Sequence, residues 1–252
     1  MTTQILTPGP FVPHVKEARY DLLSTLRQPG FTLPTLLFPA TFYLFFGILF
    51  GQGNGLALYL LPTYGVFGVI GAALFGFGAS IAVARESGEL RLKRASPMPA
   101  AAFFGAKVTT SLTFSVVILL ELFVLAATLG DVVLGAGQWL LLASVLLAGS
   151  VPFAAVGLAV GSYASGKGAP ALLNLIYLPS AFLSGLWIPI EVLPSLVGKI
   201  ALFLPPYHLG QLALRVVGKG AGQPVALHVG ALLFTTLVAL PIAARGLRRD
   251  DA

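Results

Sequence analysis

An all-α integral membrane protein is what three features of this sequence predict. Mean hydropathy is +0.92 and charged residues make up 10% of the chain, against about 25% in soluble domains. Apolar runs long enough to cross a hydrocarbon core recur along the chain. The basic residues gather at alternate junctions between those runs, the bias of a positive-inside membrane protein. Six spans are expected, with an amino-terminal helix along the bilayer and short re-entrant outer helices before the last span. A net charge of +6 could suit a nucleic-acid binder, but its clustering beside apolar spans assigns it to topology instead. With no cysteine there is no disulfide framework, thiolate metal site or thiol nucleophile.

In chain order, Met1–Pro13 is rich in proline and lacks a period, which suggests a loose tail. No secretory signal is expected, because Met1–Gln28 lacks a basic start followed by an apolar core. From Val15 to Arg27 a helical period sets Val15, Ala18, Leu22 and Leu26 against Lys16, Glu17, Tyr20, Asp21, Ser24 and Arg27. That pattern predicts an interfacial helix with Arg19 snorkelling at the boundary, ended by Pro29-Gly30. Residues 1–30 thus form a tail and interfacial helix, 31–244 the spanning domain and 245–252 a second tail.

Phe31–Phe50 carries no charge and would be about 30 Å long as a helix, matching a bilayer core; Pro34 and Pro39 are candidate kinks. The second span, Leu56–Ala84, is studded with glycines, which let neighbouring helices approach. Ala84–Pro99 then carries six charged residues and belongs in water. Spans are expected at Ala100–Leu129, Gln138–Tyr163, Pro170–Ile188 and Val225–Ala244. The interval Pro189–Pro224 is too apolar for a solvated loop and reads as short outer helices that dip back into the membrane. With the amino terminus inside, twelve Lys/Arg lie on the inner side and three, Lys199, Arg215 and Lys219, on the outer. Both termini are therefore expected in the cytoplasm.

Within Ala84–Pro99, Ser87 or Gly88 can begin a short helix with Glu89 in its first turn and Arg91, Lys93 and Arg94 towards its end, a charge order that complements the helix dipole. Pro97 and Pro99 stop it. Leu90 and Leu92 diverge on a helix, which leaves one available to a partner. Glu121 is the one ionisable residue deep in a span, where a central charge costs roughly 2.5–3.5 kcal/mol. It is either a substrate or proton contact, or a neutral carboxyl that is hydrogen-bonded or close enough to the outer face to hydrate. Asn174 and Tyr177 share a face of the fifth span, lining a path or bonding a neighbouring helix. Phe67 and Phe75 could meet an apolar substrate or simply pack. Gly161–Gly168 nearly matches a phosphate-binding loop, but Gly168 replaces the magnesium-binding hydroxyl and an apolar helix precedes it. It reads as a flexible turn, and the chain is not expected to hydrolyse ATP. His14, His208 and His228 have no ligand spacing, so no metal site is expected, and no nucleophile elbow occurs.

Arg85-Glu86-x-Gly88-Glu89-Leu90, followed by Pro97-Met98-Pro99 and Lys107, resembles the R-E-x-G-T-L…P…K run of type-2 ABC transporter permeases. The helix carrying Glu17, Arg19 and Arg27 before Pro29 is similar to that family's elbow. Phe182–Pro194, with Ser184, Gly185, Pro189, Glu191 and Pro194, resembles its outer signature, and Leu204–His208 the segment that follows. The chain departs from the pattern at Glu89, where many members have Thr, and in its basic Arg91–Arg94. The resemblance implies a coupling helix at about 85–96, in which Arg85, Glu86, Gly88, Glu89, Leu90, Arg91, Leu92, Arg94 and Pro97 meet a cytoplasmic ABC ATPase. It further implies two ATPase copies holding ATP and magnesium, and no cofactor on this chain. The expected partners are a second permease copy and membrane lipids, with no nucleic acid. The expected function is export from the bacterial cytoplasmic membrane of a drug, lipid-like molecule or peptide, along a path between spans two and five of the two permeases. The competing reading is an ion-coupled transporter or channel built on Glu121; an intramembrane enzyme lacks a catalytic cluster.

Overall fold

The computed structural model describes residues 11–51, 55–96 and 98–249, and among them the chain is helical with no strand. α1 (Phe11–Leu26) opens the chain, and α2 (Pro29–Phe42) runs straight into a π-helical segment, Tyr43–Leu49. Then come α3 (Leu56–Glu86), the short α4 (Glu89–Ala95) and α5 (Ala100–Thr128). α6 (Ala136–Gly149) and α7 (Val151–Gly161) form one rod interrupted at Ser150, and α8 (Ala169–Leu183) follows. A 3₁₀ turn (Ile190–Val192), α9 (Ser195–Ala201), α10 (Pro205–Val216) and α11 (Val225–Arg249) complete the chain. Among the described residues five stretches are long and apolar enough to cross a membrane: Pro29–Leu49, Leu56–Glu86, Ala101–Thr128, Ala136–Gly161 and Val225–Arg249.

Several boundaries differ from the sequence reading, each for a local reason. α1 begins at Phe11 rather than Val15, because a proline in a first helical turn forfeits no hydrogen bond. Met1–Pro10 lies outside the described residues, as does Pro97. The fifth apolar helix stops at Leu183 instead of Ile188. At 15 residues it spans about 22 Å, short of a full hydrocarbon core. Gly185 ends it with φ +74°: its N–H donates to the Phe182 carbonyl at 3.0 Å and the Leu186 N–H to the Ala181 carbonyl at 3.1 Å, a Schellman closure. α11 runs on to Arg249, so Arg245–Arg249 is a helical continuation and not a tail. The expected kinked first half of span one instead shows a departure into π geometry after Pro39, with the Phe50 N–H reaching the Phe45 carbonyl at 2.8 Å.

α3 is the central post. It packs against α2, α5, α7, α8 and α10, and its buried residues run from Ala57 to Ala84. Its glycines are where neighbours come closest. A Cβ on Gly68 would fall 2.5 Å from Ile118 of α5, and one on Gly78 2.7 Å from Leu173 of α8. The tightest crossing is with α7, where a Cβ on Gly161 would sit 2.3 Å from the Gly78 carbonyl oxygen and one on Gly157 2.6 Å from that of Leu74. α10, expected only as an outer segment, is wedged among α3, α6 and α11 with Tyr207–Gln211 buried. A second, smaller cluster of Ile81, Ala84, Leu90 and Phe103 seats α4 beneath the bundle.

Because the Gly161 contact is with rigid backbone, Gly161→Val should destabilise the fold by about 1–3 kcal/mol through overpacking. Gly230→Ala, where a Cβ meets nothing within 4 Å, should be neutral or slightly stabilising. Thermal unfolding of the detergent-solubilised variants measures both.

Candidate functional site

The chemistry-bearing residues collect at the end of the bundle that carries α1 and α4. Gly88, with φ +77°, turns the chain from α3 into α4, and Glu89 falls in the first turn of α4. The two leucines part as their spacing demands: Leu90 is 6% exposed against Ile81 and Phe103, while Leu92 is 73% exposed. Arg91 is exposed; the Arg94 side chain lies outside what is described.

Arg85 and Glu86 face sideways onto the turn between α7 and α8. The Arg85 guanidinium donates through Nη1 to the Gly161 carbonyl at 2.9 Å and the Ala164 carbonyl at 3.4 Å, a cation at the carbonyl end of α7. The Glu86 carboxylate accepts from the Gly166 N–H. One side chain thus holds the turn's acceptors and its neighbour a donor. The loop that mimics a phosphate-binding sequence is therefore a fastened turn, not the flexible one its glycines suggest. Between it and α4 lies a pocket of about 420 Å³, bordered by Arg85, Leu90, Arg91, Tyr163 and Ser165.

α1 is fixed by its acids. Glu17 pairs with Lys93 of α4. Asp21 accepts from Lys107 Nζ at 2.5 Å through one oxygen and from Thr110 Oγ1 at 2.7 Å through the other, both on α5. Lys93 and Lys107 also flank the Phe103 ring, at 6.0 and 5.5 Å from its centroid. The opposite side of α1 leaves Val15, Leu23 and Leu26 exposed, with Arg19 and Arg27 also in the open. Asp21, read from sequence only as part of a polar face, is the residue that docks this helix.

Above these pairs opens a cleft of about 780 Å³ walled by α1, α2, α3, α5 and α8, with Glu89 and Lys93 of α4 at its border. Its lining comes from the halves of those helices nearest α1 and α4, so it enters the bundle from that end. Phe67, Phe75, Asn174 and Tyr177 all lie on it. Tyr177 stacks on Phe67 with centroids 4.8 Å apart, and its hydroxyl donates to the Phe67 carbonyl at 2.6 Å. Gly71 makes room for it, since a Cβ there would meet the Tyr177 hydroxyl at 2.8 Å. At the far end Trp187 lies 5.6 Å from Phe67, 6.2 Å from Phe42 and 6.1 Å from Phe182. The Phe182–Pro194 segment thereby plugs the bundle above the cleft. Within it Ser184 and Gly185 are buried, Pro189 is half-buried, and Glu191 and Pro194 are exposed.

Glu121 is not among the residues lining the cleft. It is half-buried on α5, and its Oε2 is buried with no hydrogen-bond partner among the described residues. Sequence spacing also missed a pair: His208 and His228, twenty residues apart, meet Nδ1 to Nδ1 at 3.0 Å, with His208 Nε2 3.0 Å from the Leu202 carbonyl. Burial pushes the His208 imidazole below its ordinary pKa, partly offset by that carbonyl. No signal short of the fold itself brings these two rings together.

Residues 18–217, spanning elbow helix, cleft and outer plug, match the family model described as "ABC-2 type transporter". The chain belongs to that family. It is also 26% identical over 210 residues to a Bacillus subtilis (strain 168) protein named "Putative transport permease YvfS", with 82% of this chain and 86% of that one covered. An ABC-2 permease is embedded in the membrane as the membrane component of an ABC transporter, the ATPase being a separate partner.

In this permease the Asp21–Lys107 pair is nearly enclosed, so removing either partner strands the other. Asp21→Asn and Lys107→Met should each cost about 3 kcal/mol. The double variant should cost less than their sum by about 1–3 kcal/mol, read as a thermodynamic cycle in detergent.

Proposed function

We propose that this permease is the membrane subunit of an ATP-driven exporter, and that the 780 Å³ cleft is its substrate entry in an inward-facing state. The observation carrying this reading is the cleft's polarity: open at the α1/α4 end, closed at the other by the Trp187 cluster. The excess of Lys and Arg at the open end supports a cytoplasmic position for that end under the positive-inside rule, with both termini inside and the bacterial inner membrane as the expected site. Six crossings then follow if α8 and the plug segment together make the fifth. Such a path suits an amphiphile better than a sugar, because its walls are aromatic and its mouth is charged.

The ATPase would dock on α4 through exposed Leu92 and Arg91, with Arg94 and Pro97 beside them. Gly88, Glu89 and Leu90 would shape that helix, and the elbow residues Glu17, Arg19 and Arg27 would flank it. Two ATPase copies, carrying ATP and magnesium, would serve two permeases. The copies would meet along α2 and α8, whose Leu33, Leu37, Leu172 and Leu175 are exposed, giving a homodimer or a pair with a similar chain. An ion-coupled mechanism through Glu121 draws support only from its unpartnered oxygen, and that residue stands apart from the cleft.

A stoichiometric ATPase should co-purify with the chain, and Leu92→Glu should abolish that association while leaving the permease folded; consistent failure to co-purify any ATPase would overturn the assignment. A reporter fused at Asp131, in the exposed α5–α6 turn, should behave as extracytoplasmic.

A further inference from the structure

We infer that the cleft selects a lipophilic monocation, and that Glu89 sets the sign of that preference. The inference rests on the cleft being the substrate path and names the chemistry of what enters it. Five charged side chains border the cleft: Glu17, Asp21, Glu89, Lys93 and Lys107. Four of them cancel in close pairs, Glu17 with Lys93 and Asp21 with Lys107. Both pairs are largely enclosed, and the two ammonium groups lean on the Phe103 ring. That leaves the Glu89 carboxylate. It is 48% exposed, and Lys93, its ion-pair partner among the described residues, stands 4.0 Å away and is already bound more closely by Glu17. The five side chains of the lining thus sum to one net negative charge, and the Glu89 carboxylate is the most accessible of them.

The interior points the same way by a separate route. Beyond the mouth the accessible rings are half-buried Phe31 and Phe75 and exposed Phe38, backed by the buried rings of Phe114 and of Tyr177 stacked on Phe67. Aromatic faces attract cations through the ring quadrupole and disfavour anions. The volume of about 780 Å³ lies within the range of small-ligand sites. A delocalised cation with an apolar shell meets both requirements, whereas an anion of the same shape meets neither.

The test uses two probes of nearly identical shape and opposite charge, tetraphenylphosphonium and tetraphenylborate, titrated against the purified permease–ATPase complex in neutral detergent, counting only saturable, displaceable binding. The cation should bind at least tenfold more tightly. Glu89→Gln should weaken the cation by about tenfold while leaving or improving the anion, the scale of one unit charge acting across half-hydrated protein. Glu89→Asp should restore the preference, and Glu89→Lys should reverse it. Phe75→Ala should weaken cation binding without touching the mouth. Equal binding of the two probes, or a cation-to-anion ratio unmoved by Glu89→Gln, would overturn the inference. ATP-driven movement is read separately in proteoliposomes. Cation-selective binding without it sinks the exporter assignment alone; transport of another substrate without cation selectivity sinks this inference alone.

Discussion

The crossing of α3 with α7 at Gly78, Gly157 and Gly161 is the contact on which the other packing rests. Lipid offers apolar side chains nothing that water withholds, so membrane helices associate through close van der Waals contact and satisfied polar groups. Three glycines let the two backbones touch, with any added Cβ falling inside carbonyl contact distance. That contact fixes where α7 ends, and hence where the α7–α8 turn meets Arg85 and Glu86. It also fixes how α8 lies along α3, bringing Leu173 onto Gly78 and Tyr177 onto Gly71. With Tyr177 locked to the Phe67 carbonyl, one wall of the cleft is rigid. The opposite wall, α2, is held at its far end by Tyr43, whose hydroxyl reaches the Ala57 carbonyl at 3.1 Å.

Charge plays a different part at the α1/α4 end. Each short helix there is too small to hold itself in place, since short helices are marginal without packing. α4 gains Leu90 in an apolar seat and Lys93 on Glu17; α1 gains Asp21 on Lys107 and Thr110. Partial enclosure strengthens such pairs relative to exposed ones, which contribute little. Glu89, which reaches the shared Lys93 only at 4.0 Å and is 48% exposed, is the acid of the cleft lining most open to what approaches it.

Much of this was legible in the sequence. The glycine pattern of α3 announced close packing because small residues on a membrane helix have few other uses, and the spacing of Leu90 and Leu92 announced one buried and one exposed leucine. Phe67, Phe75, Asn174 and Tyr177 do share one cleft. What stayed hidden depends on contacts between distant segments. Arg85 and Glu86 read as outward-facing because their partners are backbone groups about 80 residues away, which carry no side-chain signature. Asp21 looked like an ordinary polar-face residue until Lys107 and Thr110 stood across from it. The end of α8 at Leu183 was masked by apolar residues continuing through Ile188; the deciding feature was the left-handed geometry that Gly185 accepts, and hydropathy does not register that.

These connections determine how a force on α4 would spread. Gly88 joins α4 to α3 through a two-residue link, so displacement of α4 pulls directly on the central post. Just before that link, Arg85 and Glu86 bind α3 to the α7–α8 turn by opposite hydrogen-bonding senses, and such a turn cannot slide without breaking both. Lys93 passes the same displacement to α1, which Asp21 ties to α5. Four of the elements that wall the cleft, α1, α3, α5 and α8, are therefore joined to one another at the α4 end, and α2 is tied to the same end by the turn at Gln28, by the Thr32 hydroxyl donating to the Thr25 carbonyl and by Phe31 against Phe114 of α5. At the far end the aromatic plug around Trp187, resting on Phe42 of α2 and Phe67 of α3, joins α2 to the central post as well, so both ends of the cleft are bridged by side-chain contacts between its walls.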